Sequence, residues 1–156
     1  MKVKIPYLLS LLSGIVATVS IFLTYASVKV VGYDTGESYN GLDLRDIFMD
    51  YGGNWFNGIA EFAIIFILIF GVCNIAYTIG LFIRGDRIKN VPLNFVLNGL
   101  ILLILSVIVV IRVGQVDVLG VSLAVGYGLY IAIAAAALNI IAGVLEFRDL
   151  GKLITA

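Results

Sequence analysis

The sequence predicts an all-α integral membrane protein: a four-transmembrane-helix bundle whose first extracellular loop contains a short β-hairpin and an amphipathic helix. Three observations support this prediction. Of the 156 residues, 62% are hydrophobic and only 13% are charged, whereas a soluble domain is typically about one quarter charged. Four charge-free stretches are long enough to cross a ~30 Å hydrocarbon core as helices. Basic residues also concentrate in alternate connecting segments.

The apolar stretches alternate with connecting segments along the chain. We interpret residues 1–156 as one membrane domain. Pro6 and Pro92 stand in the first turns of the first and third stretches, where a proline costs no helical hydrogen bond. The predicted spans are 5–28, 58–83, 91–112 and 118–145, and the outer loop is 29–57.

Lysine and arginine positions predict the orientation. Under a four-span topology one side carries seven basic and three acidic side chains, and the other carries three basic and seven acidic ones. Because basic residues are retained on the cytoplasmic side, both termini are predicted to be cytoplasmic in a multipass protein of the cell membrane. A rival interpretation makes residues 1–27 a cleaved signal peptide, but the apolar stretch exceeds the about 7–15 residues of a signal core.

The outer loop is predicted to fold. β-forming residues before the turn-like segment 34–37 indicate a short hairpin. Residues 41–51 place apolar side chains at helical spacing opposite three aspartates, which predicts an amphipathic helix across the outer end of the bundle. The aspartates lack the spacing of a calcium loop, so no metal site is predicted. Aromatic residues typically anchor such loops at the membrane interface, and the candidate interaction surface is Tyr39, Leu44, Phe48, Tyr51, Trp55 and Phe56.

Polar residues within the spans are the first place to look for function, since burying them in lipid is costly. One from each span falls about 9–15 Å from the cytoplasmic ends, and we expect these four to bond one another and fix helix register. Near the outer ends, Glu61 and Arg112 are predicted to form an ion pair. The inner-leaflet polar layer consists of Ser13, Asn74, Asn98 and Asn139.

The fourth span is rich in small residues, which let helices approach closely in lipid. Span one offers a complementary row of small residues, so packing of one span on the other is expected. The sequence leaves open whether this packing is within one chain or between chains. The predicted seam is Gly120, Ala124, Gly126, Gly128 and Ala132.

Missing residue types exclude several functions. The chain has no histidine, so histidine-dependent catalysis is excluded, and its one cysteine, Cys73, allows neither an intrachain disulfide nor a CxxC redox pair. Ten basic residues are scattered rather than clustered, which argues against nucleic-acid binding. We therefore expect no enzyme activity, cofactor or metal. The expected partners are membrane lipids and either further copies of the chain or a larger membrane protein complex.

The segments 41–44 (Gly-Leu-Asp-Leu) and 126–128 (Gly-Tyr-Gly) resemble elements of small four-helix membrane proteins of bacteria and archaea. The topology also resembles that of the claudin and peripheral myelin protein superfamily, and 54–56 (Asn-Trp-Phe) is similar to part of its loop motif. The paired loop cysteines of claudins are absent here. The resemblance implies four spans, inner termini and a β-bearing first loop.

Three functions remain open from sequence. The first is a non-catalytic structural, adhesion-like or accessory subunit that acts through helix packing and the outer loop. The second is a small oligomeric transporter or channel in which the asparagine layer lines a hydrated path. The third is a lipid- or quinone-modifying enzyme. The scarcity of ionisable residues inside the spans favours the first.

Overall fold

The computed structural model describes residues 4–50, 55–84, 90–118 and 121–154, which are mostly helical with a small sheet. The five helices are α1 (Ile5–Ser20), α2 (Gly41–Asp50), α3 (Trp55–Arg84), α4 (Val91–Gly114) and α5 (Tyr127–Ile154). The four strands are β1 (Thr24–Val30), β2 (Tyr33–Asn40), β3 (Asp117–Val118) and β4 (Val121–Val125).

Within the described residues, three helical stretches are long and apolar enough to cross a membrane: Gly58–Ile83, Val91–Gly114 and Tyr127–Asp149. They lie in α3, α4 and α5. Their length and apolar composition agree with the prediction of a membrane-embedded protein. Helix α1 is also apolar but has 16 residues, which is fewer than the roughly 20 that a span needs by itself.

The predicted first span, 5–28, is wrong in its second half. Helix α1 ends at Ser20, and two tight turns follow, in which the N–H groups of Phe22 and Leu23 donate to carbonyls three residues back. Strand β1 then begins at Thr24. Hydrophobicity alone does not distinguish a helix from a buried strand, and here pairing with β2 and β4 selects the strand.

The predicted fourth span, 118–145, begins too early for the same reason. Residues 121–125 form strand β4, which pairs with β1 over Ala26–Val30, and helix α5 starts at Tyr127. The N–H of Gly126 donates to the carbonyl of Tyr25 at 2.8 Å, so the chain passes from sheet to helix directly beside β1.

The four strands form one antiparallel sheet in the order β2-β1-β4-β3. It extends from one end of the helices, where α2 also packs. Asn40 caps α2, because its Oδ1 accepts from the N–H groups of Leu42 and Asp43 at 2.8 and 3.0 Å. The Gly41 N–H donates to the carbonyl of Ile21 at 2.7 Å, which ties α2 to the end of α1.

Helices α1, α3, α4 and α5 pack side by side around a common core. Helix α1 packs on α3 and α5, and α4 packs on the same two helices, so α1 and α4 lie diagonally opposite. We call the end that carries the sheet and α2 the sheet end. The opposite end, where Lys4 bonds to Glu146, is the ion-pair end.

Candidate functional site

A cluster of four polar side chains joins three helices in the bundle interior. The Ser10 Oγ of α1 lies 2.9 Å from Asn139 Oδ1 of α5, 3.2 Å from Asn74 Oδ1 of α3 and 3.2 Å from Thr78 Oγ1 of α3. Asn74 Nδ2 donates to the Ser10 carbonyl at 2.8 Å. All four residues are buried, and we call this group the polar cluster.

Helical spacing places these side chains together. Asn74 and Thr78 are one turn apart on α3, so they share a face, and the Thr78 hydroxyl donates to the Asn74 carbonyl at 2.8 Å. On α1, Ser10 belongs to the buried face that also contains Tyr7 and Ala17. A polar side chain buried on such a face needs a partner from a neighbouring helix.

Close approach of α1 and α3 sets the width of this site. A Cβ atom added at Gly14 would lie 2.9 Å from the Gly71 carbonyl oxygen and 2.8 Å from Ile75 Cγ1. Real side chains do not fit there without moving backbone. The two glycines therefore hold the α1 and α3 backbones at the separation that lets short side chains such as Ser10 reach across.

The ion pair between Lys4 and Glu146, which defines the ion-pair end, is partly buried. Lys4 Nζ is 2.7 Å from Glu146 Oε1, and the Glu146 side chain is only 3% exposed. Burial lowers the pKa of Lys4, but the hydrogen bond and the charge of Glu146 outweigh it, so the Lys4 pKa is raised. Tyr7 lies between this pair and the polar cluster in sequence, and its ring packs edge-on against Phe82 and Phe95.

A second buried polar contact stands at the sheet end. The Ser20 hydroxyl donates to the Ala17 carbonyl at 2.7 Å and lies 3.1 Å from the Tyr25 hydroxyl. Burial raises the pKa of Tyr25 to about 12, and the hydrogen bond with Ser20 opposes this only in part. Polar contacts of α1 thus occur at both ends of the helix and at its middle.

Several buried polar atoms have no hydrogen-bond partner within the described part of the chain. They include Asn98 Oδ1 of α4 and, on α5, Asn139 Nδ2 and Glu146 Oε2. Because an unsatisfied buried polar group costs about 1–3 kcal/mol, these atoms mark places where the described residues do not complete the hydrogen bonding.

The predicted polar layer is only partly assembled. Asn74 and Asn139 meet, with Asn74 Nδ2 at 3.4 Å from Asn139 Oδ1. Ser13 instead donates to the Ala135 carbonyl at 2.7 Å, one turn from the polar cluster. Asn98 lies on α4 and forms no bond with the other three in the described chain.

The observed ion pairs between described residues do not include the predicted pair of Glu61 with Arg112. The ion pairs between described residues join Lys4 to Glu146 and Arg45 to Asp46. The Arg112 guanidinium lies over the ring of Phe48, 5.8 Å from its centre. The Arg112 side chain therefore contacts Phe48 of helix α2.

The small residues of the predicted seam pack within this chain. A Cβ at Gly128 would lie 2.9 Å from the carbonyl oxygens of both Ser20 and Thr24, and one at Gly126 would collide with the Thr24 carbonyl. Ala132 is buried on α5, and Ala124 belongs to β4, opposite Ser27 of β1, rather than to a helix. Gly120 lies outside the described residues.

The described members of the predicted outer-loop surface are buried or partly buried. Leu44 and Phe48 are buried in the main hydrophobic core, and Tyr39 is partly buried against it. Tyr51 lies outside the described residues, as do the side chains of Trp55 and Phe56. Exposure is greatest at the hairpin turn instead, where Val31 is 77% and Tyr33 is 80% exposed.

Sequence reasoning missed Ser10, Thr78 and the Lys4–Glu146 pair. A signal for Thr78 was its position four residues after Asn74. A signal for Glu146 was its position seven residues after Asn139, which places both on one face of a helix. The pairing of Lys4 with Glu146 had no signal, because 142 residues separate them.

No protein-family profile matches this chain, and a search of curated proteins finds no match.

Cys73 is exposed on α3. Within the described residues, no group of three or more histidine, cysteine, aspartate or glutamate side chains could hold a metal ion.

Proposed function

We propose that the protein is a non-catalytic multipass protein of the cell membrane, built as a four-transmembrane-helix bundle, that acts as a structural, adhesion-like or accessory subunit. The observation that carries the proposal is the set of hydrogen bonds linking Ser10 to Asn74 and Asn139. In lipid, bonds of this kind between helices fix their packing. The most buried polar side chains therefore serve the assembly of the bundle.

The length of α5 alongside α1 supports α1 as the fourth span. Helix α1 lies beside α5 from Gly128, which abuts Ser20, to Glu146, which bonds to Lys4. At 1.5 Å per residue this interval is about 27 Å, close to the ~30 Å hydrocarbon thickness. A helix that accompanies a membrane-length helix over this distance crosses the same layer.

Cysteine labelling tests the topology, starting from a Cys73→Ser background. Glu37→Cys places a thiol at the exposed sheet end, and Arg148→Cys places one on the exposed surface near the ion-pair end. We expect a membrane-impermeant maleimide to label Glu37→Cys in intact cells and Arg148→Cys only after permeabilisation, with an N-terminal epitope behaving as Arg148→Cys. Labelling of the two ends from the same side would refute the four-span topology.

In the described part of the outer loop, the exposed hairpin turn is available to a partner. Val31 and Tyr33 project there, while Leu44 and Phe48 are used in the core. Native mass spectrometry in mild detergent should detect an oligomer or a complex, and Tyr33→Ser should reduce it. Tyr127→Ser, which removes an exposed aromatic at the start of α5, is the control. A strictly monomeric protein without a partner would refute the accessory role.

A small oligomeric transporter or channel is the alternative, and one observation favours it. Asn98 Oδ1 and Asn139 Nδ2 are buried and have no hydrogen-bond partner among the described residues, as expected of groups that meet water or a solute during transport. Proteoliposomes containing the purified protein should then conduct ions or solutes, and Asn98→Leu should change the flux. A bilayer that stays as impermeable as empty liposomes excludes this alternative.

A further inference from the structure

A polar patch lies on the surface of the bundle where α3 meets α4. Asn94 is exposed on α4, and its Nδ2 donates to the Tyr77 hydroxyl of α3 at 3.0 Å. Cys73, one turn before Tyr77, is also exposed. Other exposed side chains of α4, such as Leu97 and Ile104, are aliphatic. Hydrogen-bonding groups therefore interrupt the apolar exterior at this place.

The contact between α4 and α5 shows how deep this patch lies. A Cβ added at Gly143 would lie 2.8 Å from the carbonyl oxygen of Pro92, and Val96 abuts the same glycine. Asn94 stands between these two residues of α4, so it is nearly level with Gly143. Gly143 lies about 4.5 Å inside Glu146 along α5. Since Glu146 marks one end of the interval that matches the hydrocarbon thickness, Asn94 lies inside that layer.

The two amides on this side of α4 keep hydrogen-bonding groups that the chain does not use. Within the described residues, one N–H of Asn94 bonds to Tyr77, while its Oδ1 and its second N–H have no partner. Asn98 is one turn deeper on the same side of α4, and its buried Oδ1 has no partner in the described chain either. Hydrocarbon cannot replace these bonds, and unpaired polar groups are costly there. A polar partner is therefore expected at this surface.

We propose that a second copy of this chain packs on the surface where α3 meets α4, with the Asn94 amides of the two copies hydrogen-bonded to each other. Each amide offers both a donor and an acceptor. Under two-fold symmetry the free N–H of one Asn94 therefore meets the Oδ1 of the other, so the surface satisfies itself. Lipid acyl chains offer neither group, and hydrogen bonds of this kind hold transmembrane helices together. The inference rests on the proposed function, which places α3 and α4 in a membrane, and it names a second copy as the partner.

Cysteine cross-linking in a Cys73→Ser background tests the proposal. Ile101 lies two turns after Asn94 on the same side of α4 and is 38% exposed. Ile15→Cys is the matched control, because Ile15 is 44% exposed and stands equally far along its helix, on α1, diagonally opposite α4. In dilute proteoliposomes a short bismaleimide should convert Ile101→Cys protein largely into a covalent dimer and leave Ile15→Cys protein monomeric.

Substitution of Asn94 tests whether its amide holds the two copies together. Asn94→Leu should raise the dimer dissociation constant about fivefold to thirtyfold, as expected when an amide pair between helices is lost. Energy transfer between labelled copies, measured at decreasing protein-to-lipid ratios, gives this constant. Leu93→Ala is the control, because Leu93 is the adjacent residue, is 48% exposed and has no amide. It should leave the constant unchanged.

The outcomes distinguish this contact from the proposed role of the hairpin turn. Tyr33→Ser should not affect the Ile101→Cys cross-link. If Tyr33→Ser abolished it, the result would support the hairpin turn as the contact and overturn the inference. Equal cross-linking of Ile101→Cys and Ile15→Cys would indicate random collision and would overturn it as well. An absent Ile101→Cys cross-link, together with a complex that depends on Tyr33, would overturn the inference and leave the proposed function in place.

Discussion

Lys4 Nζ bonds to Glu146 Oε1 at 2.7 Å and closes the ion-pair end of the bundle by joining the start of α1 to the last turns of α5. The acid is 3% exposed and the base 30%. Among the described residues Lys4 is the cation paired with this carboxylate, while the lysine itself still contacts water. Removing Lys4 should therefore have different consequences from removing Glu146.

Lys4→Met should destabilise the protein by about 2–4 kcal/mol. Breaking a fully buried pair costs about 3–5 kcal/mol, and the partial exposure of Lys4 reduces that figure. The double variant Lys4→Met/Glu146→Leu should recover most of the loss, because it removes the buried charge that the single variant leaves unpaired. Thermal unfolding of both variants in detergent measures the difference. A double variant as unstable as the single one would show that the pair is not the source of the effect.

Gly14→Ala should destabilise the bundle by about 1–3 kcal/mol, as overpacking of a tight core does. Its new methyl group would meet the Gly71 carbonyl oxygen and force α1 away from α3. Gly80→Ala on α3 is the matched control, since nothing lies within 4 Å of its added Cβ, and alanine there should stabilise the helix by about 1 kcal/mol. Equal effects of the two substitutions on Tm would rule out close contact between α1 and α3.

Alkaline pH should weaken the fold through Tyr25. Its phenol ionises near 10.0 when unfolded and near 12 when folded, so the unfolded chain releases the proton first. The stabilisation is fully present below pH 10 and is lost as the pH rises to about 12, a decrease of about 2–3 kcal/mol.

The free energy of unfolding, measured across this pH range, should fall less steeply with pH in Tyr25→Phe, because this variant has no phenol to ionise. Tyr33→Phe serves as the control because Tyr33 is exposed, and it should leave the slope unchanged. An unaltered slope in Tyr25→Phe would mean that Tyr25 ionises equally in both states.

Val31→Asn should stabilise the β1–β2 hairpin by about 1 kcal/mol. Val31 has φ of 49° and Gly32 has φ of 84°, the left-handed pair of a two-residue hairpin turn, for which Asn-Gly is preferred. A β-branched residue is strained there, and Val31 is too exposed to gain from burial. Slower amide hydrogen exchange in β1 and β2 would report the change. Val31→Ile, which keeps the strain, should leave exchange as it is.

Individual segments show which helices and strands could be predicted from the sequence. The distribution of charge predicted helices at 58–83 and 91–112, close to the observed α3 (Trp55–Arg84) and α4 (Val91–Gly114), because a break in hydrophobicity lies near the helix termini. The amphipathic segment from Gly41 was also predicted as a helix, since its local spacing of apolar residues and Asn40 suffice to specify one. Residues 24–28 were predicted as helix but belong to β1, because their apolar character is compatible with both structures.

The residues of the candidate site were likewise predicted only in part. The sequence indicated Asn74 and Asn139 as costly polar residues inside membrane-length helices, and their depth follows from counting residues. It did not indicate that Ser10, rather than Ser13, reaches them, since this depends on how α1 is rotated about its axis.

By itself the sequence determined that the chain is apolar enough for a membrane, where α3 and α4 lie and which residue types are absent, because composition and local periodicity carry that information. Only the tertiary structure decided that β4 pairs with β1, that Gly128 packs on Ser20 within the same chain, and that Lys4 meets Glu146. These contacts join segments up to 142 residues apart. They arise from the shape and rotation of packed helices, which no local pattern of residues records.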